Sequence, residues 1–336
     1  MSDTPLPTLA PWLARQLRAL LAQRGHAWLL QGPPGLGQFD LALALARAWL
    51  CDASTPEACN HCPSCHGIDV HTHADLAVLM PEAQMIERGW PLAEKAWAEI
   101  EDKKRKPSKE IRIDAMREAI ELAQRTSARG RGQAMLVFPA ERMNHITANA
   151  LLKTLEEPPG NMRFALASEA AHLLPATIRS RCQTHTMLWP AEGEALTWLA
   201  GQGAPPQEAA ALLRAAGGRP AEALAAHQSG LNARQWAQLP RAVLQGDAGA
   251  FKDVPLPEVV SRLQKLCHDL IAAQQGAAPR FFDSGALPQK RLSMLALTGW
   301  SKHLQQAARS AEHPLNTALA TEDLVSGACQ ALNSKN

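Results

Sequence analysis

Four cysteines lie close together in the segment CDASTPEACNHCPSC, with the spacing C-x7-C-x2-C-x2-C. They are Cys51, Cys59, Cys62 and Cys65. A C-x2-C turn can direct two thiolates at one ion, and four thiolates complete the tetrahedral shell that Zn²⁺ prefers. Because such a shell leaves no position for water or substrate, the spacing predicts one structural zinc ion per chain within residues 51–65.

Two other interpretations of this cluster stay open. The spacing C-x2-C-x2-C also occurs in iron–sulfur proteins, but the C-x3-C-P run of the ferredoxin pattern is missing after Cys65. The second interpretation is four free thiols in a loop. His61 and His66 are alternative ligands, although the four cysteines suffice. The other cysteines are scattered and are predicted to be small core residues: Cys182, Cys267 and Cys329.

The segment QGPPGLGQFD has the glycines of the phosphate-binding loop G-x-x-x-x-G-K-[ST] without its two functional side chains. Gly32 and Gly37 have the required spacing, with Gly35 between them, but Gln38 and Phe39 stand where Lys and Ser or Thr belong. In a working loop the Lys contacts phosphates and the hydroxyl binds Mg²⁺. A neutral amide and a phenyl ring do neither. The loop is predicted to keep its turn and to have lost its chemistry, with nucleotide binding without turnover as an alternative.

The acidic pair that an ATPase uses to hold Mg²⁺ and orient water is also missing where it is expected. The apolar run AMLVF ends in Phe138-Pro139, and the next acid, Glu141, is single and two residues late. Asp40, in the first turn of the predicted helix, would repel a phosphate. Since these losses agree, the sequence predicts that ATP is neither hydrolysed nor bound in cis.

Segments with strand and helix patterns alternate up to residue 189, which predicts an α/β domain with a mostly parallel sheet covered on both faces. Asp114 and Asn144 are the predicted N-caps of two of the helices. Strands are predicted over 26–31, 75–80, 133–138, 163–168 and 183–189. Helices are predicted over 7–24, 39–50, 113–126 and 144–157, with a short helical turn over 174–182. After Pro190 the pattern is all-α, with breaks near 215–220 and 245–250.

Length and composition limit the class of protein. The 336 residues allow two or three domains, and 46% hydrophobic residues allow a sizeable core. A formal net charge of +2 is too balanced to indicate a nucleic-acid-binding protein by itself. No apolar run has the length of a membrane span, and the first residues lack the layout of a signal peptide. We therefore expect a cytoplasmic protein, in which the clustered cysteines need a role other than disulfides.

Two longer segments carry a family resemblance: NALLKTLEEPPG at 149–160 and LPATIRSRCQ at 174–183. Together with the loop and the cysteine cluster, they resemble the AAA+ clamp-loader family of bacterial DNA replication, from residue 10 to about 225. The resemblance implies a RecA-like AAA+ P-loop domain over 1–189 with an embedded zinc module. It also implies a small helical lid over 190–230 and a helical collar, or oligomerisation, domain over 231–336.

The same resemblance implies a role for one arginine. Ser180-Arg181-Cys182 matches the family's S-R-C motif, whose arginine reaches the γ-phosphate of an ATP held by the neighbouring subunit. Arg181 is thus expected to be an arginine finger acting in trans, and a surface salt bridge is the alternative. Arg179 is close in sequence. A further ATP-sensing arginine of the family would fall near Ala221, and Arg219 is out of register with it.

The resemblance further implies a non-hydrolysing subunit that is part of the DNA polymerase III holoenzyme and no enzyme on its own. Its expected partners are gamma/tau-type ATPase subunits and a delta-type subunit in a hetero-oligomeric ring. Primer–template DNA and the sliding clamp would be met through the complex, and no membrane is involved. An active ATPase subunit of the same machine and an unrelated zinc-stabilised DNA-binding module are the alternatives.

Residues 82–110 form a polar segment whose end holds five basic residues between Lys103 and Lys109. Such runs are usually solvated and mobile, which is the expectation here, with contact to a phosphate backbone as the alternative. In KTLEEPP, neither Lys153 nor Glu156 is assigned a catalytic role.

Overall fold

Five short strands form one parallel sheet in the first half of the chain. The computed structural model describes residues 9–53, 55–311 and 316–334, and the chain divides into two units, 1–189 and 190–336. The sheet order is β2-β3-β4-β1-β5. The strands are β1 Ala27–Gln31, β2 Leu76–Leu79, β3 Gln133–Val137, β4 Met162–Ser168 and β5 Gln183–Thr186. The predicted α/β class and parallel sheet are confirmed, and the strand order is that of a RecA-like AAA+ domain.

Helices cover both faces of this sheet. Alternate strand positions, such as Val137 and Phe164, enter one core cluster with residues of α6 and α7. On the opposite face α2 contacts β3 and β4, and α1 packs on α2. The helices of this unit are α1 Pro11–Leu21, α2 Gln38–Leu50, α3 Pro63–Asp69, α4 Glu82–Glu87, α5 Glu94–Glu101, α6 Ile113–Ala123, α7 His145–Glu156 and α8 Ala176–Arg179. Burial on both faces explains why the central strands read as continuous apolar runs.

One of the two predicted N-caps is wrong. The Asn144 side chain accepts a hydrogen bond from the Thr147 N–H at 2.9 Å, as an N-cap should. Asp114 lies inside the first turn of α6, whose N-cap is Arg112. A carboxylate in the first turn also interacts favourably with the helix dipole, so the sequence pattern does not separate the two positions.

The polar segment 82–110 contains α4 and α5, and one of its basic residues is not simply solvated. Arg105 is half-buried and donates to both carboxylate oxygens of Glu82, at 2.5 and 2.8 Å, and to Glu99 at 2.8 Å. The Glu82 side chain also accepts from the Ser108 N–H at 2.8 Å. The expectation of a fully solvated run is therefore wrong for Arg105, because its two acidic partners lie on helices that precede it. Lys103, Lys104, Lys106 and Lys109 are exposed.

Helices alone make up the described part of the second unit. They are α9 Glu192–Gly201, α10 Pro206–Ala215, α11 Pro220–Gln228, α12 Ala233–Leu244, α13 Leu256–Gln274, α14 Met294–Ser310 and α15 Thr317–Asn333. The predicted breaks at 215–220 and 245–250 fall between helices. Leu199, Leu212, Leu263, Leu297 and Leu324 belong to one hydrophobic core, so residues 190–230 and 231–336 pack around common apolar side chains.

A buried aspartate organises the loop between α13 and α14. Asp269 is fully buried, and its carboxylate accepts backbone N–H bonds from Arg280, Phe281 and Phe282 at 2.7–2.9 Å. These bonds fix the 280–282 segment, where the Phe282 ring stacks on Trp236 at a centroid distance of 4.5 Å.

Replacing Asp269 with alanine is expected to lower the free energy of unfolding by about 3–5 kcal/mol, because three backbone N–H groups, one in a buried and two in partly buried hydrogen bonds, lose a fully buried charged acceptor. Asp247→Ala is the matched control, since this exposed side chain accepts one backbone N–H, from Gly249 at 2.9 Å, and should cost about 1 kcal/mol. Urea unfolding of both variants measures the difference. Equal losses in the free energy of unfolding would show that the three hydrogen bonds of Asp269 stabilise the fold no more than the single bond of Asp247.

In the described part of the chain, no helix combines the length and the apolar character that crossing a bilayer requires. Residues 1–8, on which the signal-peptide expectation and the start of the first predicted helix depend, lie outside the described residues.

Candidate functional site

The glycine-rich loop connects the carboxyl end of β1 to α2. Gly37 has φ of +87°, and a Cβ there would lie 2.7 Å from Leu13 Cδ1, so the tight turn into α2 requires glycine. Gly35 has a φ of +85°, and the N–H of Gly32 donates to the Ser168 carbonyl at 3.2 Å. The loop thus lies at the carboxyl ends of the internal strands β1 and β4, which is where a phosphate-binding loop is found.

The side chain of Gln38 is directed back into this loop. Its Nε2 donates to the carbonyls of Gly32 and Pro33 at 2.8 and 2.7 Å, and the residue is only 2% exposed. An amide held by two loop carbonyls supplies no positive charge to a phosphate.

Phe39 belongs to an aromatic cluster beside the loop. Its ring centroid lies 5.4 Å from that of Phe138 and 6.4 Å from that of Trp90. The guanidinium of Arg88 lies over the rings of both Phe39 and Phe138, at 4.5 and 5.3 Å. Phe39 and Phe138 therefore pack against each other beside the loop, and their phenyl side chains carry no oxygen atom that could bind Mg²⁺.

Glu141, the first acid after β3 along the chain, is engaged in two hydrogen bonds. One carboxylate oxygen accepts from the Ser168 hydroxyl at 2.7 Å, and the other accepts from the Glu169 N–H at 3.1 Å. These bonds tie the turn after β3 to the end of β4. The carboxylate holds backbone and hydroxyl groups in place, and both of its oxygens are engaged.

The four cysteines converge between α2 and α3. All four Sγ atoms lie within 4.8 Å of one another, with Cys51 Sγ 3.5 Å from Cys59 Sγ and 3.8 Å from Cys62 Sγ. A regular tetrahedron with Zn–S bonds of about 2.3 Å has edges of about 3.8 Å. The donor set and its spacing fit a single ion of this kind, whereas a cluster of several irons would hold the sulfurs farther apart. Cys51 and Cys65 are buried, and Cys59 and Cys62 are partly exposed.

Backbone hydrogen bonds and burial change the pKa values of these thiols in opposite directions. The N–H groups of Cys59 and Cys65 donate to the sulfurs of Cys51 and Cys62 at 3.3 and 3.4 Å. A hydrogen bond from the His61 backbone lowers the pKa of the Cys59 thiol to about 6, whereas burial raises the pKa of the Cys65 thiol to about 12. Because a metal binds thiolates, its uptake at neutral pH would displace a proton from Cys65, and we expect the affinity to increase with pH.

Ion pairs anchor the cysteine loop to the rest of the unit. Asp52 accepts from the Ser64 hydroxyl at 2.6 Å and from the Arg129 guanidinium at 3.1 and 3.3 Å. The Arg129 hydrogen bonds hold the pKa of the Asp52 carboxyl well below its usual range, so the carboxyl is ionised at neutral pH. The N–H of Arg129 is in turn held by the buried Asp75 at 3.0 Å. On the other side of the cluster, Arg47 pairs with Asp69.

Arg181 follows α8 and pairs with the carboxyl end of α7. Its Nε donates to Glu156 Oε1 at 2.5 Å, its Nη2 donates to the same oxygen, and its Nη1 donates to the Thr177 carbonyl at 2.9 Å. About a third of the arginine side chain and about half of the glutamate side chain are exposed. The guanidinium is therefore held near the surface by a partly exposed carboxylate.

Arg181 and the glycine-rich loop lie at opposite ends of the parallel strands β5 and β1. Arg181 lies two residues before Gln183, the first residue of β5, which pairs with Trp28 in β1. Gly32 follows β1 at its other end, four residues and roughly 13 Å farther along the strand direction. The structure therefore does not bring Arg181 together with Gln38 and Phe39.

Some of the residues that contact Arg181 and Phe39 could not be predicted from the spacing of residues in the sequence. Glu156 is 25 residues before Arg181, and Arg88 and Trp90 are in the polar segment that carries no motif. The acid that pairs with Arg181 does lie within KTLEEPP, which the sequence singled out without a role for its glutamates.

Comparisons with known proteins agree with this arrangement. A family model described as "DNA polymerase III, delta subunit" matches residues 12–189, more than half of the chain. The delta' subunit of DNA polymerase III from Escherichia coli (strain K12) is 35% identical over 225 residues, which are 65% of this chain and 60% of that protein. The delta' subunit from Pseudomonas aeruginosa is 35% identical over 214 residues, 62% of this chain and 58% of that protein.

The similarity also extends to another class of subunit. The tau subunit of DNA polymerase III from Escherichia coli (strain K12) is 30% identical over 158 residues, 47% of this chain and 20% of that protein. The matched regions cover 56–60% of the delta' subunits from Escherichia coli, Pseudomonas aeruginosa and Haemophilus influenzae. The chain is thus similar to delta' subunits in sequence. Because the family model matches more than half of its residues, it belongs to the DNA polymerase III delta subunit family.

Proposed function

We propose that this protein is a non-hydrolysing subunit of the DNA polymerase III clamp loader. It takes its place in a hetero-oligomeric ring with gamma/tau-type and delta-type subunits, and it supplies Arg181 to the ATP of a neighbour. Through the assembled ring it helps to load the sliding clamp onto primer–template DNA. Its four cysteines hold one structural zinc ion, and its own loop holds no ATP.

The observation that carries the proposal is the content of the glycine-rich loop. Nucleotide hydrolysis needs a charged group at the phosphates, a hydroxyl on Mg²⁺ and an acid that helps to orient water. Here the Gln38 amide is bonded to loop carbonyls, and Phe39 packs on Phe138. Glu141 is engaged by Ser168 and Glu169. The turn keeps its shape, and each group that would act on ATP is replaced or engaged elsewhere.

The position of Arg181 supports action in trans. It lies before the amino end of β5, whereas the chain's own loop follows the carboxyl end of the neighbouring strand β1. Its side chain is partly exposed, and so is that of its partner Glu156. An arginine at this end of the strands can contact a γ-phosphate only when another subunit binds the ATP. Glu156 orients the guanidinium until that happens, and Arg179 lies on the preceding helix.

The relatives guide the choice of partners. Similar chains are named as gamma and tau subunits, and a ring of related subunits places each ATP between two of them. Within this proposal the zinc module is residues 51–65, the lid is 190–230 and the collar is 231–336.

The purified chain is expected to show no ATP turnover above background at millimolar ATP, because no charged or hydroxyl side chain of the loop is available to phosphate and Mg²⁺. A malachite-green phosphate assay measures turnover, and a fluorescent ATP analogue measures binding. Restoring Gln38→Lys together with Phe39→Thr should increase nucleotide binding without producing turnover, since Phe138 and Pro139 still stand where the acids belong. Turnover by the unaltered chain would favour the active-ATPase alternative.

A further inference from the structure

A basin lined by arginines opens on the first unit, apart from the glycine-rich loop and from Arg181. It is a cavity of about 740 Å³, and we call it the arginine basin. Arg18, Arg131 and Arg163 line it, and its accessible apolar floor is made at the end of α1 by the partly exposed Leu21 and by Ala22, beside the buried Trp49 of α2. A smaller cavity of about 270 Å³, which includes Arg24, shares Arg163 and Trp49 with it.

The positive charges in the basin are only partly balanced. Among the described residues that line it, Glu57 is the single acid, and it pairs with Arg18 at 3.6 Å. Arg131 donates to the Ala53 carbonyl at 3.1 Å, and in the described part of the chain neither Arg131 nor Arg163 has an ion-pair partner. Partial burial and the charge of Arg131 lower the pKa of the Arg163 guanidinium. Two like charges are thus held together over an apolar floor, an arrangement that a bound anion would stabilise.

The basin and the arginine finger lie on opposite faces of the sheet. In β4, Phe164 belongs to the core shared with α7, and α7 carries the Glu156 that pairs with Arg181. Arg163 is the preceding residue and points to the other face, where its guanidinium lies 5.7 Å from the centroid of the Trp49 ring on α2. A ligand in the basin would therefore leave Arg181 accessible to a neighbour.

The shape of the site favours a peptide over a nucleic acid. Single-stranded nucleic acid binds to basic grooves whose aromatic rings stack on bases, but Trp49 is 9% exposed and Trp28 is 3% exposed. Neither ring offers a face to a base. A cavity lined by both guanidinium groups and apolar side chains instead complements a segment that carries both carboxylates and an apolar side chain, since Arg binds carboxylates in a bidentate way.

We propose that the arginine basin is a docking site for a short acidic peptide segment of a partner protein, with an apolar side chain that enters the floor. Arg131 and Arg163 bind its carboxylates. The cysteine loop contributes one wall through Thr55, Pro56 and Glu57, so the structural metal site also shapes this surface.

Binding to a fluorescein-labelled peptide Asp-Glu-Asp-Leu-Asp-Phe, measured by fluorescence anisotropy on the full chain, tests the proposal. The peptide is expected to bind, and its amide counterpart Asn-Gln-Asn-Leu-Asn-Phe is expected to bind more weakly. Arg163→Gln and Arg131→Gln should each weaken binding roughly tenfold, the effect of losing one charge-assisted contact. Arg125→Gln, an exposed arginine of the same unit that lies outside the basin, should leave binding unchanged.

A second measurement needs no variant. Phenylglyoxal modifies accessible arginines, and mass spectrometry should show that the peptide protects Arg131 and Arg163 but not Arg125. Three results would overturn the proposal: no binding of the acidic peptide, equal binding to all three variants, or tight binding of a 20-nucleotide oligo-dT that is lost in the basin variants while the peptide does not bind.

Discussion

If Arg181 is the arginine finger proposed above, replacing it with alanine is expected to slow ATP hydrolysis at the neighbouring subunit's site by roughly 10³- to 10⁵-fold, the range of arginine fingers in related phosphoryl transfer. In the proposed role, the guanidinium would stabilise charge that develops on the γ-phosphate, and alanine offers no donor. In a reconstituted clamp loader, single-turnover hydrolysis should lose the amplitude of one ATP site while the remaining sites react at their normal rates.

Two further variants separate the finger from a surface ion pair. Arg179→Ala, two residues earlier at the end of α8, should leave the single-turnover amplitude intact. Arg181→Lys keeps the charge but loses the forked donor, so it should recover only part of the rate. An unchanged amplitude in Arg181→Ala would mean that the arginine does no more than pair with Glu156.

Replacing Cys65 with serine is expected to abolish zinc binding and to destabilise the first unit by about 3 kcal/mol or more, since metal binding at a structural site contributes directly to folding. The hydroxyl is a poor zinc ligand, and the three remaining thiols leave the shell open. Zinc content by inductively coupled plasma mass spectrometry should fall from one ion per chain to near zero. The thermal midpoint should fall by roughly 6–12 °C.

Cys182→Ser is the matched control, because this partly buried cysteine lies outside the cluster. Its zinc content should stay at one ion per chain. A brown protein that absorbs near 400 nm and contains iron would contradict the zinc assignment, and so would a metal content that does not respond to Cys65→Ser.

The sequence was most informative where chemistry and spacing coincide. The cysteine spacing predicted a cluster that the structure brings together, because the C-x2-C turns and the N-cap position of Cys62 act over a few residues. The apolar runs predicted the parallel sheet, since strands buried on both faces need continuous apolar residues. Local signals of this kind survive folding because they do not depend on distant partners.

Interactions across long sequence separations were not predictable. The pair between Glu156 and Arg181 and the bonds from Arg105 to Glu82 depend on how α7, α8 and α4 are placed, which no local pattern encodes. The arginine basin is the clearest case, because Arg18, Arg131 and Arg163 come from three distant segments. The N-cap prediction for Asp114 was wrong for a local reason, since the N-cap position and the first helical turn both favour a carboxylate.

The most direct test of the central claim is ATP turnover by a single gamma-type subunit mixed with this chain. We predict that the chain alone hydrolyses no ATP, that it stimulates the gamma-type subunit, and that the stimulation disappears in Arg181→Ala but not in Arg179→Ala. Turnover by the chain alone, or equal stimulation by the Arg181→Ala variant, would contradict the account.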